Sequence, residues 1–173
     1  MEGFNERLVM GVSQDDPILD VLAKTLLDTP KLFGRIQSNL IITATMDFIT
    51  SLMMDMKIHK MAVNLGLTPF ATYGRNMSGI STSYAMFVFP TEVDVEAYIQ
   101  YLPQIRVFID CMDEVLSFYK EETAGEENFA SMLAMESSIT KYEAIQRLAD
   151  DVAGADKGVL RGLAGDQLAL DNW

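Results

Sequence analysis

The sequence predicts an all-α protein. Apolar residues recur at helical spacing along most of the 173 residues, and no segment shows the alternation expected of a strand. Two helix-start signals add to this, Asp16-Pro17 and Thr91 followed by Glu92 and Asp94. This length suits one domain with a substantial core.

The first helices follow from local signals. Residues 3–12 predict a short helix that ends near Gly11. Asp16 fits the N-cap of the next helix, because Pro17 then occupies its first turn, where a missing N–H is harmless. Apolar residues repeat at helical spacing from there up to Pro30, so the second helix is predicted to end at that proline.

The middle of the chain predicts two further helices. Residues 31–64 carry a long apolar periodicity typical of a buried helix, and residues 64–69 predict a turn. The most apolar part of the predicted 31–64 helix, residues 40–56, contains two aspartates and is too polar for a membrane span. Residues 70–89 predict a helix that stops before Pro90.

In the last part, a helix is predicted to start at Thr91, with Pro103 either kinking or dividing it. Residues 122–128 predict a charged loop, and residues 138–153 an amphipathic helix. Residues 154–165 hold four glycines and give no firm prediction.

Composition excludes some functions. A net charge of −12 argues against nucleic acid and against an anionic membrane surface, since both require clustered Lys and Arg. The single cysteine, Cys111, allows no intrachain disulfide, and residues 1–6 show no signal-peptide pattern. We therefore expect a cytoplasmic protein.

One segment suggests a metal site. Asp113, Ser117 and Glu121 stand at i, i+4 and i+8, so on a helix their three oxygen groups share one face. Such oxygens suit Mg²⁺, which completes its shell with water and substrate phosphates, and the neighbouring Lys120 could reach a phosphate oxygen. The same spacing is also common on a solvated helix face, so it does not decide between the two.

The string from Asp113 to Glu121 resembles the second metal-binding motif of class I terpene cyclases, with Glu114 where a second Asp is common. The run Leu-Ser-Phe-Tyr-Lys-Glu-Glu, residues 116–122, resembles the fungal trichodiene synthase branch of that family. The resemblance implies a partial class I terpenoid synthase α-helical bundle. Residues 1–173 would form a single domain, the middle and later part of the family domain.

Two other segments carry the same resemblance, residues 44–48 and residues 74–79 with the later Pro90. By position Arg75 would bind the substrate diphosphate and Lys120 would make a second contact. The implied function is Mg²⁺-dependent ionisation and cyclisation of a prenyl diphosphate, such as farnesyl diphosphate. Candidate aromatic residues for stabilising the carbocation by cation–π contacts are Phe48, Tyr73, Tyr84 and Phe87.

Two family elements have no counterpart in this sequence, the aspartate-rich motif on an earlier helix and an Arg-Tyr pair near the C-terminus. Residues 15–20 offer a substitute for the first, but Pro17 favours a helix start instead. The chain is therefore either a cyclase-type protein, active or inactive alone, or a non-catalytic descendant that acts as a binding or interaction module. A homodimer is one way to cover an incomplete bundle, and a generic helical domain is the remaining alternative.

Overall fold

A computed structural model describes residues 1–58, 69–78, 80–126 and 128–173. Three long helices form its frame: α3 (Arg35–Ile58), α7 (Leu102–Ala124) and α9 (Lys141–Leu163). The shorter helices are α1 (Phe4–Met10), α2 (Pro17–Asp28), α4 (Phe70–Ser78), α5 (Ser81–Val88), α6 (Val95–Tyr98), α8 (Phe129–Ser137) and α10 (Gln167–Asn172), with 3₁₀ turns at Thr29–Lys31 and Ile99–Tyr101. The described residues contain no strand, so the all-α prediction is confirmed. None of these helices has the length and apolarity to cross a bilayer.

The core lies where α3 and α5 meet α7 and α9. Each helix contributes a side chain that is almost fully buried: Ile41, Met86, Ile105 and Val159 respectively. Burying a side chain of this kind stabilises the fold by roughly 1.5–3 kcal/mol. α7 packs most extensively against α9, while α4 packs on α3 and α8. This packing fixes the position of α7, the helix that carries residues 113–121.

The predicted helix start at Asp16 is confirmed. One carboxylate oxygen of Asp16 accepts hydrogen bonds from the backbone N–H groups of Ile18 (2.8 Å) and Leu19 (3.2 Å). The first helix ends at Gly11, whose φ of 68° is the left-handed conformation that favours glycine. Asp16 therefore caps α2, while Asp15 pairs with Arg7 and Asp20 with Lys24, each at 2.6 Å.

The helix predicted over residues 70–89 is corrected to two helices, α4 and α5. Ile80 separates them with a φ of 42°, a left-handed backbone that ends one helix before the next begins. The start predicted at Thr91 is also wrong: α6 begins at Val95, after an extended Asp94. Pro103 lies in the first turn of α7, so it divides the predicted helix there.

The remaining predicted boundaries need adjustment. The charged loop predicted over 122–128 begins only after α7 ends at Ala124. α3 covers Arg35–Ile58 of the long helix predicted over 31–64, and the predicted turn at 64–69 lies, except for Pro69, outside the described residues. The helix predicted over 138–153 begins at Lys141, where Thr140 and Glu143 form a capping box, and it continues to Leu163.

One glycine of α9, Gly162, allows close packing. A Cβ on Gly162 would lie 2.2 Å from a ring carbon of Tyr101, far inside van der Waals contact. A Cβ on Gly158 would lie 3.5 Å from the Gln104 side chain, which is an ordinary contact. Gly162 therefore allows α9 to approach the turn that leads into α7.

Candidate functional site

A cavity of about 340 Å³ lies between the end of α3, α4, the second half of α7 and the start of α8. Its volume is at the lower end of the range of small-molecule sites. Among the described lining residues, the charged ones are five carboxylates and one arginine: Asp55, Asp113, Glu114, Glu121, Glu126 and Arg75. Phe70 and Phe129 supply aromatic lining on α4 and α8. The cavity therefore joins an apolar wall to a strongly acidic one.

Arg75 crosses from α4 to α7 and connects the two walls. Its Nη2 donates to the backbone carbonyl of Asp110 at 2.7 Å and to Oδ2 of Asp113 at 3.1 Å. Its Nη1 lies 3.0 Å from Oε1 of Glu114. The Arg75 side chain is only 17% exposed, whereas that of Asp113 is 67% exposed. Arg75 is thus held in place while Asp113 remains open to the cavity.

The structure brings together only part of the residue set that the sequence singled out. Arg75, Asp113 and Glu121 line the cavity. Ser117 is half-buried on α7, and Lys120 is exposed; neither is among the described lining residues. The long flexible side chain of Lys120 leaves it a candidate for a ligand at the edge of the site.

The donor chemistry of the site fits Mg²⁺. Asp113 and Glu121 offer carboxylate oxygens to the cavity, and Ser117 lies between them on the same helix but outside the described lining. In the part of the chain that the structure describes, no three His, Cys, Asp or Glu side chains gather closely enough to hold a metal ion by themselves. A cation here would therefore take much of its shell from water or a bound anion, as Mg²⁺ commonly does.

The pKa of Glu114 shows that the carboxylates of this wall repel one another. This pKa is raised to about 7, mainly by burial and also by the charges of Glu121 and Asp113, although the neighbouring Arg75 lowers it. Negative charge at this wall is thus only partly compensated by the protein. A divalent cation would relieve it.

We expect Glu114→Gln to gain stability over the wild type as pH rises. Because the folded pKa is raised from 4.5 to about 7, the stability that Glu114 contributes is complete below about pH 4.5 and is lost as pH passes 7. Glutamine does not titrate, so its advantage should grow by about 2 kcal/mol between pH 5 and pH 8. Urea unfolding at both pH values, in EDTA, measures this. An advantage that stays the same at both pH values would contradict the raised pKa.

Sequence reasoning missed Asp110, the residue beneath Arg75. Asp110 is buried, and Ser81 Oγ donates to its Oδ2 at 2.9 Å. Arg106 Nε in turn donates to Ser81 Oγ at 3.4 Å. Burial raises the pKa of Asp110, although Arg75 opposes the shift. The sequence did contain a signal for Asp110: it is an aspartate inside an apolar run, three residues before Asp113.

The structure places the four candidate aromatic residues outside the described lining of the cavity. Tyr73, Tyr84 and Phe87 are each more than half exposed, and neither they nor Phe48 belong to the described lining of the cavity. The aromatic residues that do line it are Phe70 and Phe129. Phe129 starts α8, a helix that the sequence did not predict, so its proximity to α7 depends on tertiary packing.

Glu122, which follows Glu121, has a structural role. Its carboxylate accepts from Lys141 Nζ at 2.6 and 2.9 Å, from Ser131 Oγ at 3.0 Å and from Asn128 Nδ2 at 3.2 Å. The hydrogen bond from Lys141, with those from Ser131 and Asn128, lowers the pKa of Glu122. Glu122 therefore ties the end of α7 to α8 and α9, next to the cavity.

Cys111 lies on α7, half-buried next to Leu148 and Asp151 of α9. The pKa of its thiol is raised to about 11, mainly by burial and also by the nearby Asp151 and Asp110 carboxylates. The thiol is therefore protonated and unreactive in the folded chain at neutral pH.

Comparison with known proteins gives relatives and a shared fold. No protein-family model matches the chain. The alpha-cuprenene synthase of Coprinopsis cinerea is 26% identical over 174 residues, covering 100% of this chain and 54% of that protein. Terpene synthase 29 of Postia placenta is 28% identical over 178 residues (99% and 51%), and the longiborneol synthase of Gibberella zeae 28% identical over 169 residues (94% and 50%).

Among solved structures, a linalool/nerolidol synthase from Streptomyces clavuligerus matches with a TM-score of 0.69 and 16% identity, covering 99% of this chain and 68% of that one. This likeness confirms the predicted terpenoid synthase α-helical architecture. The chain spans about half the length of the curated relatives named above. Together the relatives and the shared fold support a relationship with the terpene cyclase family.

Proposed function

We propose that the chain carries the Mg²⁺ and diphosphate site of a terpene cyclase of the fungal trichodiene synthase-like branch. Its substrate would be a prenyl diphosphate, such as farnesyl diphosphate. One observation carries the proposal: Arg75 and Asp113, which lie on separate helices and match separate family motifs, are in direct contact at the edge of an acidic and aromatic cavity. The whole chain, residues 1–173, would be one domain corresponding to the middle and later part of that family domain.

Each residue has a chemical task in this proposal. Asp113, Ser117 and Glu121 would hold Mg²⁺, and the ion would supply positive charge to the leaving diphosphate. Arg75 would bind diphosphate oxygens through its planar fork of N–H donors, for which lysine is a poor substitute. Lys120 would approach from the edge of the site as a point charge.

The apolar wall would protect the reacting chain from water. Phe70 and Phe129 would lie against the prenyl group, and their ring faces attract positive charge. The acidic wall repels an anion that arrives alone, because its described lining has five carboxylates and one arginine. Diphosphate binding should therefore require a divalent cation.

A non-catalytic binding module is the second candidate. The observation that favours it is the engagement of Arg75 by the protein's own Asp113 and Glu114, which gives a stable arrangement without any ligand. We also propose, for either candidate function, that the protein is cytoplasmic and forms a homodimer, as the sequence led us to expect. Size-exclusion chromatography with light scattering tests the dimer, which a monomeric mass at working concentrations would exclude.

Asp113→Asn is expected to weaken Mg²⁺-dependent pyrophosphate binding by about tenfold or more, because it removes one anionic ligand of the cation. Isothermal titration calorimetry measures binding, and gas chromatography of products from farnesyl diphosphate and Mg²⁺ measures turnover. Asp150→Asn, an exposed change of the same charge on α9, is the matched control and should bind like the wild type.

The two readouts separate the candidates. Product formation that Asp113→Asn abolishes supports the enzyme. Asp113-dependent binding without product supports the binding module. If Asp113→Asn binds as tightly as Asp150→Asn, the proposed metal ligand is wrong.

A further inference from the structure

We propose that Asp110 is a positioning residue for Arg75, whose guanidinium has a further carboxylate partner available besides Asp113 and Glu114. In the structure it pairs with Asp113 and Glu114. When a cation takes Asp113, the guanidinium pairs with the Asp110 carboxylate instead and stays at the cavity. This inference rests on the proposed function, in which Asp113 binds the cation and Arg75 the diphosphate.

A cation on Oδ2 of Asp113 would displace Arg75 from that oxygen. Arg75 Nη2 lies 3.1 Å from Oδ2 of Asp113, so the arginine and a cation compete for the same carboxylate. A guanidinium and a divalent cation also repel each other at such distances. A cation there would leave Arg75 with Glu114 as its remaining close carboxylate partner, 3.0 Å from Nη1, so a further anion is needed to replace Asp113.

The further partner, Asp110, is within reach. Arg75 Nη2 lies 3.9 Å from Oδ1 of Asp110, and the same nitrogen already donates to the Asp110 carbonyl at 2.7 Å. Oδ1 of Asp110 and Nε of Arg75 are both buried, and neither has a hydrogen-bond partner among the described residues. Unpaired buried polar atoms are rare because they are costly, and a small shift of the guanidinium would pair these two.

Asp110 is anchored independently of Arg75. Its other oxygen, Oδ2, accepts from Ser81 Oγ at 2.9 Å. Arg106 Nε donates to Ser81 Oγ at 3.4 Å, and Arg106 Nη2 donates to the carbonyl of Asn76, near the end of α4, at 3.3 Å. The carboxylate is thus fixed relative to the two helices that flank Ile80. It offers Arg75 a partner at a defined position.

This arrangement couples the two ligands. Without the Asp110 carboxylate, a cation on Asp113 removes one partner of the Arg75 guanidinium and nothing replaces it. The guanidinium is then less well positioned to bind the diphosphate. Coupling between bound ligands commonly amounts to factors of about 5 to 150. Asp110→Asn should therefore weaken the binding of Mg²⁺ with inorganic pyrophosphate by about tenfold, while Asp150→Asn leaves it unchanged.

A double-mutant cycle separates positioning from general damage to the fold. Binding of Mg²⁺ with pyrophosphate is measured by calorimetry for the wild type, Asp110→Asn, Arg75→Lys and the double variant. If Asp110 acts through Arg75, Asp110→Asn has its tenfold effect in the wild type and little in the Arg75→Lys background. An equal loss in both backgrounds, or no loss in either, overturns the proposal.

A measurement without ligand tests whether Asp110 can pair with Arg75, even if the wild type binds no pyrophosphate. Replacing Asp113 by Asn and Glu114 by Gln removes the first partners and leaves Asp110 intact. The Arg75 Nε–H resonance, assigned from its loss in Arg75→Lys, should then move downfield as this proton is donated to the Asp110 carboxylate. Adding Asp110→Asn should reverse the shift.

The two arms distinguish the two proposals. A downfield shift without any pyrophosphate binding retains the role of Asp110 and rejects the proposed function. A wild type that binds pyrophosphate, with no shift and no effect of Asp110→Asn, rejects only the role of Asp110.

Discussion

Arg75→Ala is expected to destabilise the chain by about 4 kcal/mol at pH 8, the largest effect of any single change proposed for this protein. The substitution leaves the buried carboxylates of Glu114 and Asp110 without their main counter-charge. At pH 5 the loss should be smaller, because Glu114, with a pKa of about 7, is already protonated there and does not need Arg75.

Urea unfolding followed by circular dichroism at pH 5 and pH 8 measures this difference. Arg75→Lys is the matched control: it keeps the charge but not the planar fork, so it should lose less stability than the alanine variant. An Arg75→Ala variant that loses the same stability at both pH values would show that Glu114 is not the group that Arg75 stabilises.

Gly162→Ala is expected to destabilise the chain by about 2–3 kcal/mol. The new methyl group would lie 2.2–2.6 Å from three ring carbons of Tyr101, so the ring or the helix must move. The gain from replacing a glycine inside a helix, roughly 0.5–1 kcal/mol, offsets only part of this. Tyr101 leads directly into α7, so part of the strain should reach the helix that carries the acidic wall.

The same helix provides the control. A Cβ on Gly154 meets nothing within 4 Å, so Gly154→Ala should stabilise α9 by roughly 0.5–1 kcal/mol. Thermal unfolding of both variants and the wild type tests the pair. Equal midpoints for Gly162→Ala and Gly154→Ala would mean that the close approach to Tyr101 is relieved without cost.

The sequence predicted α2 best, because there an apolar periodicity follows a local start signal. One side chain, that of Asp16, and the following proline define the start of this helix. The break at Ile80 could not be predicted, because a β-branched residue is a poor candidate for a left-handed backbone. α8 was missed because Phe129–Ser137 is short, has little apolar periodicity and begins at an Asn128 cap that resembled a loop residue.

The candidate site divides in a similar way. Helical spacing predicted that Asp113 and Glu121 share a face of α7, and the resemblance to a family indicated Arg75. Asp110 and Phe129 could not be predicted, because their importance arises from helices that approach each other only in the folded chain. Spacing along one helix reveals neighbours on that helix, whereas partners from α4 and α8 require the tertiary structure.

The single cysteine allows local opening of the folded chain to be measured by chemical labelling. Cys111 sits between α7 and α9, and its pKa of about 11 keeps it protonated in the folded state. An alkylating reagent at neutral pH would therefore modify it mainly during transient separation of those helices, when the thiol recovers its ordinary acidity. The labelling rate would measure how often α7 and α9 separate. No added probe is needed, and no other cysteine competes for the reagent.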